Sequence, residues 1–160
     1  MINTVQPNFK QSNSLVKRGL AQLLKRKVDF PYKTSTTWIK DLSFLGNDGS
    51  NSIILGDGGV SPLKCIFLGV AACASYDLLE IMKKQRTPLE KLEISVDGIR
   101  DEKKTGRPIK DIHMIFKVSG QNVKQQKVEK AIDTSINQYC GVYATIKNTS
   151  NVTYEVVIKD

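Results

Sequence analysis

Three cysteines, Cys65, Cys73 and Cys140, and a single histidine, His113, are the side chains best suited to chemistry in this 160-residue chain. His113 falls on the polar side of an alternating segment with no serine nucleophile pattern nearby, and reads as a solvated strand histidine. No two cysteines stand two to four residues apart, so zinc-type spacing is absent and no metal is expected. An odd count of three does not suit a disulfide-stapled secreted domain, which points to a reducing compartment, the cytoplasm. Thiol redox chemistry remains. Cys73 lies deep in a first long helix and Cys140 at the end of a second, each after a block of strands, so the fold can bring them together across 67 residues. Two thiols in a sheltered site can reduce a peroxide: one attacks as thiolate and becomes a sulfenic acid, and the other condenses with it to a disulfide. Cys65 reads instead as a small buried hydrophobe.

The elements that must hold these thiols are legible from caps and periodicity. Ser61-Pro62 opens the first helix, serine as the cap and proline at the first helical position, where its missing N–H costs nothing. The helix should run to about Gln85. From Cys65 to Ala74 it is apolar on every side, so protein must surround it, and Gly69, Ala71, Ala72 and Ala74 let another backbone come close. Lys83, Lys84 and Arg86 complement the negative end of its dipole. Upstream, Thr36 to Leu55 reads as two or three short antiparallel strands, and Gly56-Asp57-Gly58-Gly59 as a plain loop, lacking the Gly-Lys-Ser/Thr of a phosphate loop. Downstream of Thr87-Pro88, a strand puts Leu92, Ile94 and Val96 on one face. The charged stretch Arg100 to Arg107 turns, and a return strand buries Ile112, Met114, Phe116 and Val118. A second amphipathic helix, Val123 to Tyr139, turns Val128, Ala131, Ile132, Ser135 and Ile136 inward, and a last strand runs from about Val152 to Ile158.

Composition, 40% hydrophobic and 25% charged, suits one compact core. Of the net charge of +8, residues 1–33 carry +6, with an amphipathic basic helix expected from Ser14 to Arg26 through Val16, Leu20, Leu23 and Leu24. The chain therefore divides into a basic extension, 1–33, and a domain, 34–160. A nucleic-acid binder should carry its charge in the folded body among aromatics, so nucleic acid is not the expected partner; an anionic-surface adaptor is the weakest of the readings. The longest charge-free apolar run, Cys65 to Tyr76, is 12 residues, short of the roughly 18 needed to cross a bilayer, and no membrane span is expected. The polar N-terminus lacks the apolar core of a signal peptide.

An ordered set of motifs resembles the OsmC/Ohr family, the osmotically inducible and organic-hydroperoxide-resistance proteins. The motifs are Ser61-Pro62, then Leu68-Gly69-Val70-Ala71-Ala72-Cys73, Lys83-Lys84-Gln85, Val96-Asp97-Gly98, Gly106-Arg107-Pro108 and Tyr139-Cys140-Gly141-Val142. The likeness spans about residues 36–158 and is nearest the OsmC-like branch. It implies an α+β fold of antiparallel strands wrapping two long central helices, in the order β-β-(β)-α-β-β-α-β, and an intertwined homodimer with two sites at the subunit interface. It also implies hydroperoxide reduction by Cys73 as the attacking and Cys140 as the resolving cysteine, recycled by an external dithiol, with no cofactor. The peroxidases carry a glutamate just after the helix-opening proline, where this chain has Leu63 and Lys64, and an arginine in the N-terminal strands, whereas none occurs here between Arg26 and Arg86. Those departures favour an alternative: a non-catalytic relative holding a small hydrophobic ligand at the dimer interface.

Overall fold

In a computed structural model, residues 31–159 are described; the helix expected from Ser14 to Arg26 and nearly all of the basic extension lie outside them. Strands β1 (Ser35–Lys40), β2 (Ser43–Asn47) and β3 (Ser52–Gly56) form an antiparallel sheet in sequential order. The β2–β3 turn is held by carboxamide and carboxylate oxygens: Asn47 Oδ1 accepts the Gly49 N–H at 2.7 Å, and Asp48 Oδ1 accepts those of Ser50 and Asn51 at 2.8 and 2.6 Å. The glycine-rich segment that follows is a tight turn, closed by the Gly59 N–H on the Gly56 carbonyl at 3.0 Å.

Helix α1 (Pro62–Lys84) keeps its expected length, but Ser61 makes no side-chain cap; proline at the start and Lys83 and Lys84 in the last turn are its end signals. Its buried residues, Val70, Ala74, Leu78 and Met82, recur every four positions and form one stripe. The rest of its apolar surface is partly open in the single chain, with Leu68 56% and Tyr76 75% exposed. By length and composition alone α1 is apolar enough to cross a membrane, although its charge-free run is short. That run ended at single charges, which a whole-helix average tolerates. Here the helix lies against protein, packing on a second sheet and on the later helices.

The second sheet has the order β4-β5-β6, from β4 (Lys91–Arg100), β5 (Ile109–Ser119) and β6 (Asn151–Ile158). On β5, Ile112, Met114, Phe116 and Val118 are buried as their alternation requires, and they meet the α1 stripe in one core. The Arg100 guanidinium ties the β4–β5 turn, donating to the Arg107 and Gly106 carbonyls at 2.6 and 2.9 Å. The expectation of purely antiparallel strands is corrected at β6, which pairs parallel to β5. The helical crossover between the two strands returns the chain to the end from which β5 set out.

One glycine fixes how α1 sits on this sheet. A Cβ at Gly98, on β4, would overlap Cζ of Phe67 on α1, so the ring occupies the space an alanine methyl needs. Gly98→Ala should cost about 1–3 kcal/mol by forcing the ring aside, and Phe67→Leu in the same background should recover part of it. Urea unfolding of the three proteins measures this; an unchanged midpoint for Gly98→Ala would show that the ring yields freely.

The second amphipathic helix is shorter than its periodicity implied and changes type. An α-helix, α2 (Gln125–Thr134), passes into a π-helical turn, Ser135–Tyr139, and after Cys140 a short helix, α3 (Gly141–Ile146), follows, which the sequence did not announce. All five residues expected to face inward, Val128, Ala131, Ile132, Ser135 and Ile136, are buried.

Candidate functional site

The α1 stripe sets where the first thiol points. Cys73 precedes buried Ala74 by one position and is half-buried at the edge of the stripe. One turn earlier, Gly69 lies beneath Val142: a Cβ there would meet Cγ1 of Val142 in ordinary contact at 3.9 Å. The start of α3 therefore lies over the Gly69–Cys73 face of α1, where the small residues permit it. Cys140 is the N-cap of α3 and is 2% exposed. Its Sγ accepts the Tyr143 N–H at 3.4 Å, doing what a serine or aspartate oxygen does at other helix starts.

This brings together the two thiols singled out in the sequence. Cys73 and Cys140 meet at 3.3 Å, both as free cysteines. Burial pushes the Cys140 thiol up to about 11, and the neighbouring Cys73 sulfur adds to the rise; the Tyr143 and Val142 N–H groups pull the other way without winning. Cys140 therefore holds its proton at neutral pH. Between the two sulfurs, Cys73 is the more open to solvent. Such a pair can pass between dithiol and disulfide with little motion of the chain.

Cys65 stays apart from the pair. Its thiol donates to the Ser61 carbonyl at 3.6 Å within the first turn of α1. His113 is likewise remote, its Nδ1 2.8 Å from Thr153 Oγ1 across the outer face of the second sheet. Among the described residues, no cluster of three or more His, Cys, Asp or Glu could hold a metal ion. Lys64, two residues after the helix-opening proline, lines a groove of about 440 Å³ with Phe67, Leu68, Val96 and Asp97, a groove that neither Cys73 nor Cys140 lines. Sequence reasoning missed Ser135 as part of the cysteine environment. The signal was present: a lone hydroxyl in an otherwise apolar helix stripe, five residues before Cys140.

Comparison with known proteins agrees with this fold. A family model described as OsmC-like protein matches residues 55–155. Protein YhfA of Escherichia coli (strain K12) is 31% identical over 127 residues, covering 75% of this chain and 94% of that protein. The OsmC like protein from Mycoplasma pneumoniae superposes with a TM-score of 0.73 at 17% identity, over 83% of this chain and 100% of that one. The organic hydroperoxide resistance protein OhrB of Bacillus subtilis superposes with a TM-score of 0.57 at 18% identity, over 80% of this chain and 98% of that one. At these identities the structural matches show a shared fold.

Proposed function

The chain belongs to the OsmC/Ohr family, and from that premise we propose that it is a thiol-dependent peroxidase of organic hydroperoxides or hydrogen peroxide, acting through Cys73 and Cys140. The observation that carries this reading is the meeting of the two thiols at 3.3 Å, one half-buried and the other enclosed. The Cys73 thiolate attacks a peroxide oxygen; the O–O bond breaks, the alcohol leaves after taking up a proton, and Cys73 becomes a sulfenic acid. The Cys140 sulfur then attacks the Cys73 sulfur, the S–O bond breaks, and water leaves as the disulfide forms. An external dithiol returns both sulfurs to thiols. The working unit is a homodimer in the cytoplasm, and no cofactor takes part.

A second reading, a binding protein for a small hydrophobic ligand, is favoured by one observation: the groove beside Phe67 and Leu68 is mostly apolar and separate from the thiols. One experiment separates the two. A stoichiometric dose of cumene hydroperoxide should convert Cys73 and Cys140 into a disulfide within a single turnover, seen as a loss of two thiols and a Cys73–Cys140 cross-linked peptide by mass spectrometry. Thiols that stay reduced under excess hydroperoxide would overturn the peroxidase and leave the binding protein.

A further inference from the structure

Ser135 opens the π-helical turn and is fully buried. Its hydroxyl donates to the backbone carbonyl of Ala74 at 3.0 Å, across 61 residues of sequence, and Ala74 is the residue after Cys73. Its own carbonyl accepts the Cys140 N–H at 2.8 Å, five residues on, in the bond that makes this turn π-helical. One residue thus joins the backbone at one cysteine to the backbone at the other. The Cys140 sulfur is in turn held by the Tyr143 N–H.

Stability alone does not call for a hydroxyl here. The neighbours of Ser135 on the buried face are Val128, Ala131, Ile132 and Ile136, and the Ala74 carbonyl already lies within a regular helix. An apolar residue of matching size would fill the space at little net cost, because a typical buried hydrogen bond contributes only about 1 kcal/mol. Position is what the hydroxyl adds. A π-turn inserts one residue beyond α-helical spacing, and such turns recur at functional sites. In this one the extra residue carries Cys140 out of the helix, and the Ser135–Ala74 bond fixes the point on α1 from which that departure is measured.

We infer that Ser135 is a positioning residue that sets the separation of Cys73 and Cys140, and with it the rate and equilibrium of disulfide closure between them. The role in turnover rests on the peroxidase reading; the effect on the equilibrium does not. Attack on peroxide involves Cys73 alone and is unaffected by Ser135, whereas closure depends on how often the two sulfurs meet.

The test uses the full chain with Ser135→Ala and, because either size or hydroxyl could matter, the matched pair Ser135→Thr and Ser135→Val. In a glutathione redox buffer, loss of the hydroxyl should lower the closure equilibrium constant about tenfold, a shift of about 30 mV towards easier reduction in a two-electron couple. Ser135→Thr should retain more of the wild-type value than Ser135→Val. After one equivalent of cumene hydroperoxide, dimedone should label Cys73 in Ser135→Ala and scarcely in wild type, with the peroxide consumed equally fast in the first turnover. Equal potentials in Ser135→Ala and wild type, or in the Thr and Val variants should Ser135→Ala not fold, would overturn the inference. A wild-type disulfide that forms in the glutathione buffer but not with hydroperoxide would overturn the peroxidase and leave the positioning role standing.

Discussion

Cys73→Ser is expected to abolish hydroperoxide consumption, and Cys140→Ser to leave one attack per site and no more. The two sulfurs touch but are not equivalent. Cys140 is enclosed, and burial together with the Cys73 sulfur pushes its thiol up to about 11, so at neutral pH it carries its proton and is shielded from a peroxide. Cys73, half-buried, is the sulfur a peroxide can reach. In Cys140→Ser the sulfenic acid on Cys73 has no partner, so dimedone should trap it, and excess peroxide should drive it to sulfinic acid. Cys65→Ser should change little, since eight residues of helix put it about 12 Å along the axis from Cys73. The pH profile carries a further sign. Closure needs the Cys140 thiolate, whose fraction rises towards tenfold per pH unit below its folded value, so the closure rate in wild type should climb with pH. Thiol counting and mass spectrometry after single doses of hydroperoxide read all four proteins. Peroxide consumption by Cys73→Ser at the wild-type rate would move the attack to another group.

The features legible in the sequence were those written in local periodicity. Alternation along β5 gave the four buried residues, and the 3.6-residue repeat of the second helix gave all five of its inward positions, because each face there is decided by burial against a single core. The proline start and lysine end of α1 came from the physics of unpaired amides and carbonyls at helix ends. Properties that depend on distant partners were hidden. The parallel pairing of β6 is permitted by the long helical crossover and is not announced by anything within Asn151–Ile158. The change from α to π at Ser135 comes with a bond from its hydroxyl to Ala74, 61 residues away, which no local pattern announces. Ser61 fits every local rule for a capping serine and still does not cap, since its side chain makes no bond to the freed amides. The two cysteines were found because their chemistry is rare and their positions in the two helices match; that they meet depends on how the start of α3 packs on α1, with Val142 over Gly69, a contact between segments distant in sequence.

The protein should sediment as two chains at micromolar concentration, with the first sheet and α1 of each chain covered by the other. Among the described residues, β1–β3 packs chiefly on itself and not on the core formed by α1, α2 and β4–β6. It leaves large apolar side chains open: register puts Trp38, Phe44 and Leu55 in one row and Thr37, Leu45 and Ile54 in the next, and Trp38 is 65% exposed, with Leu45 and Ile54 exposed as well. A three-stranded sheet without a packed face has little independent stability. Helix α1 presents a second open surface, with Ile66, Leu68, Tyr76 and Leu79 exposed. Both surfaces carry large side chains of the kind found at the centre of stable interfaces, and a second copy of the chain would cover both at once in a closed two-fold arrangement. Trp38 is the only tryptophan, with its indole N–H fixed on the Asp41 carbonyl at 2.9 Å, so its fluorescence reports on this sheet alone. In the native protein its emission should lie well to the blue of the unfolded chain, because the partner buries the ring. Leu68→Glu, which places a charge on the open face of α1, should yield monomers, shift the emission to the red and make unfolding lose its dependence on protein concentration. A folded wild-type monomer at micromolar concentration, with Trp38 emitting as it does in water, would show that these faces stay uncovered.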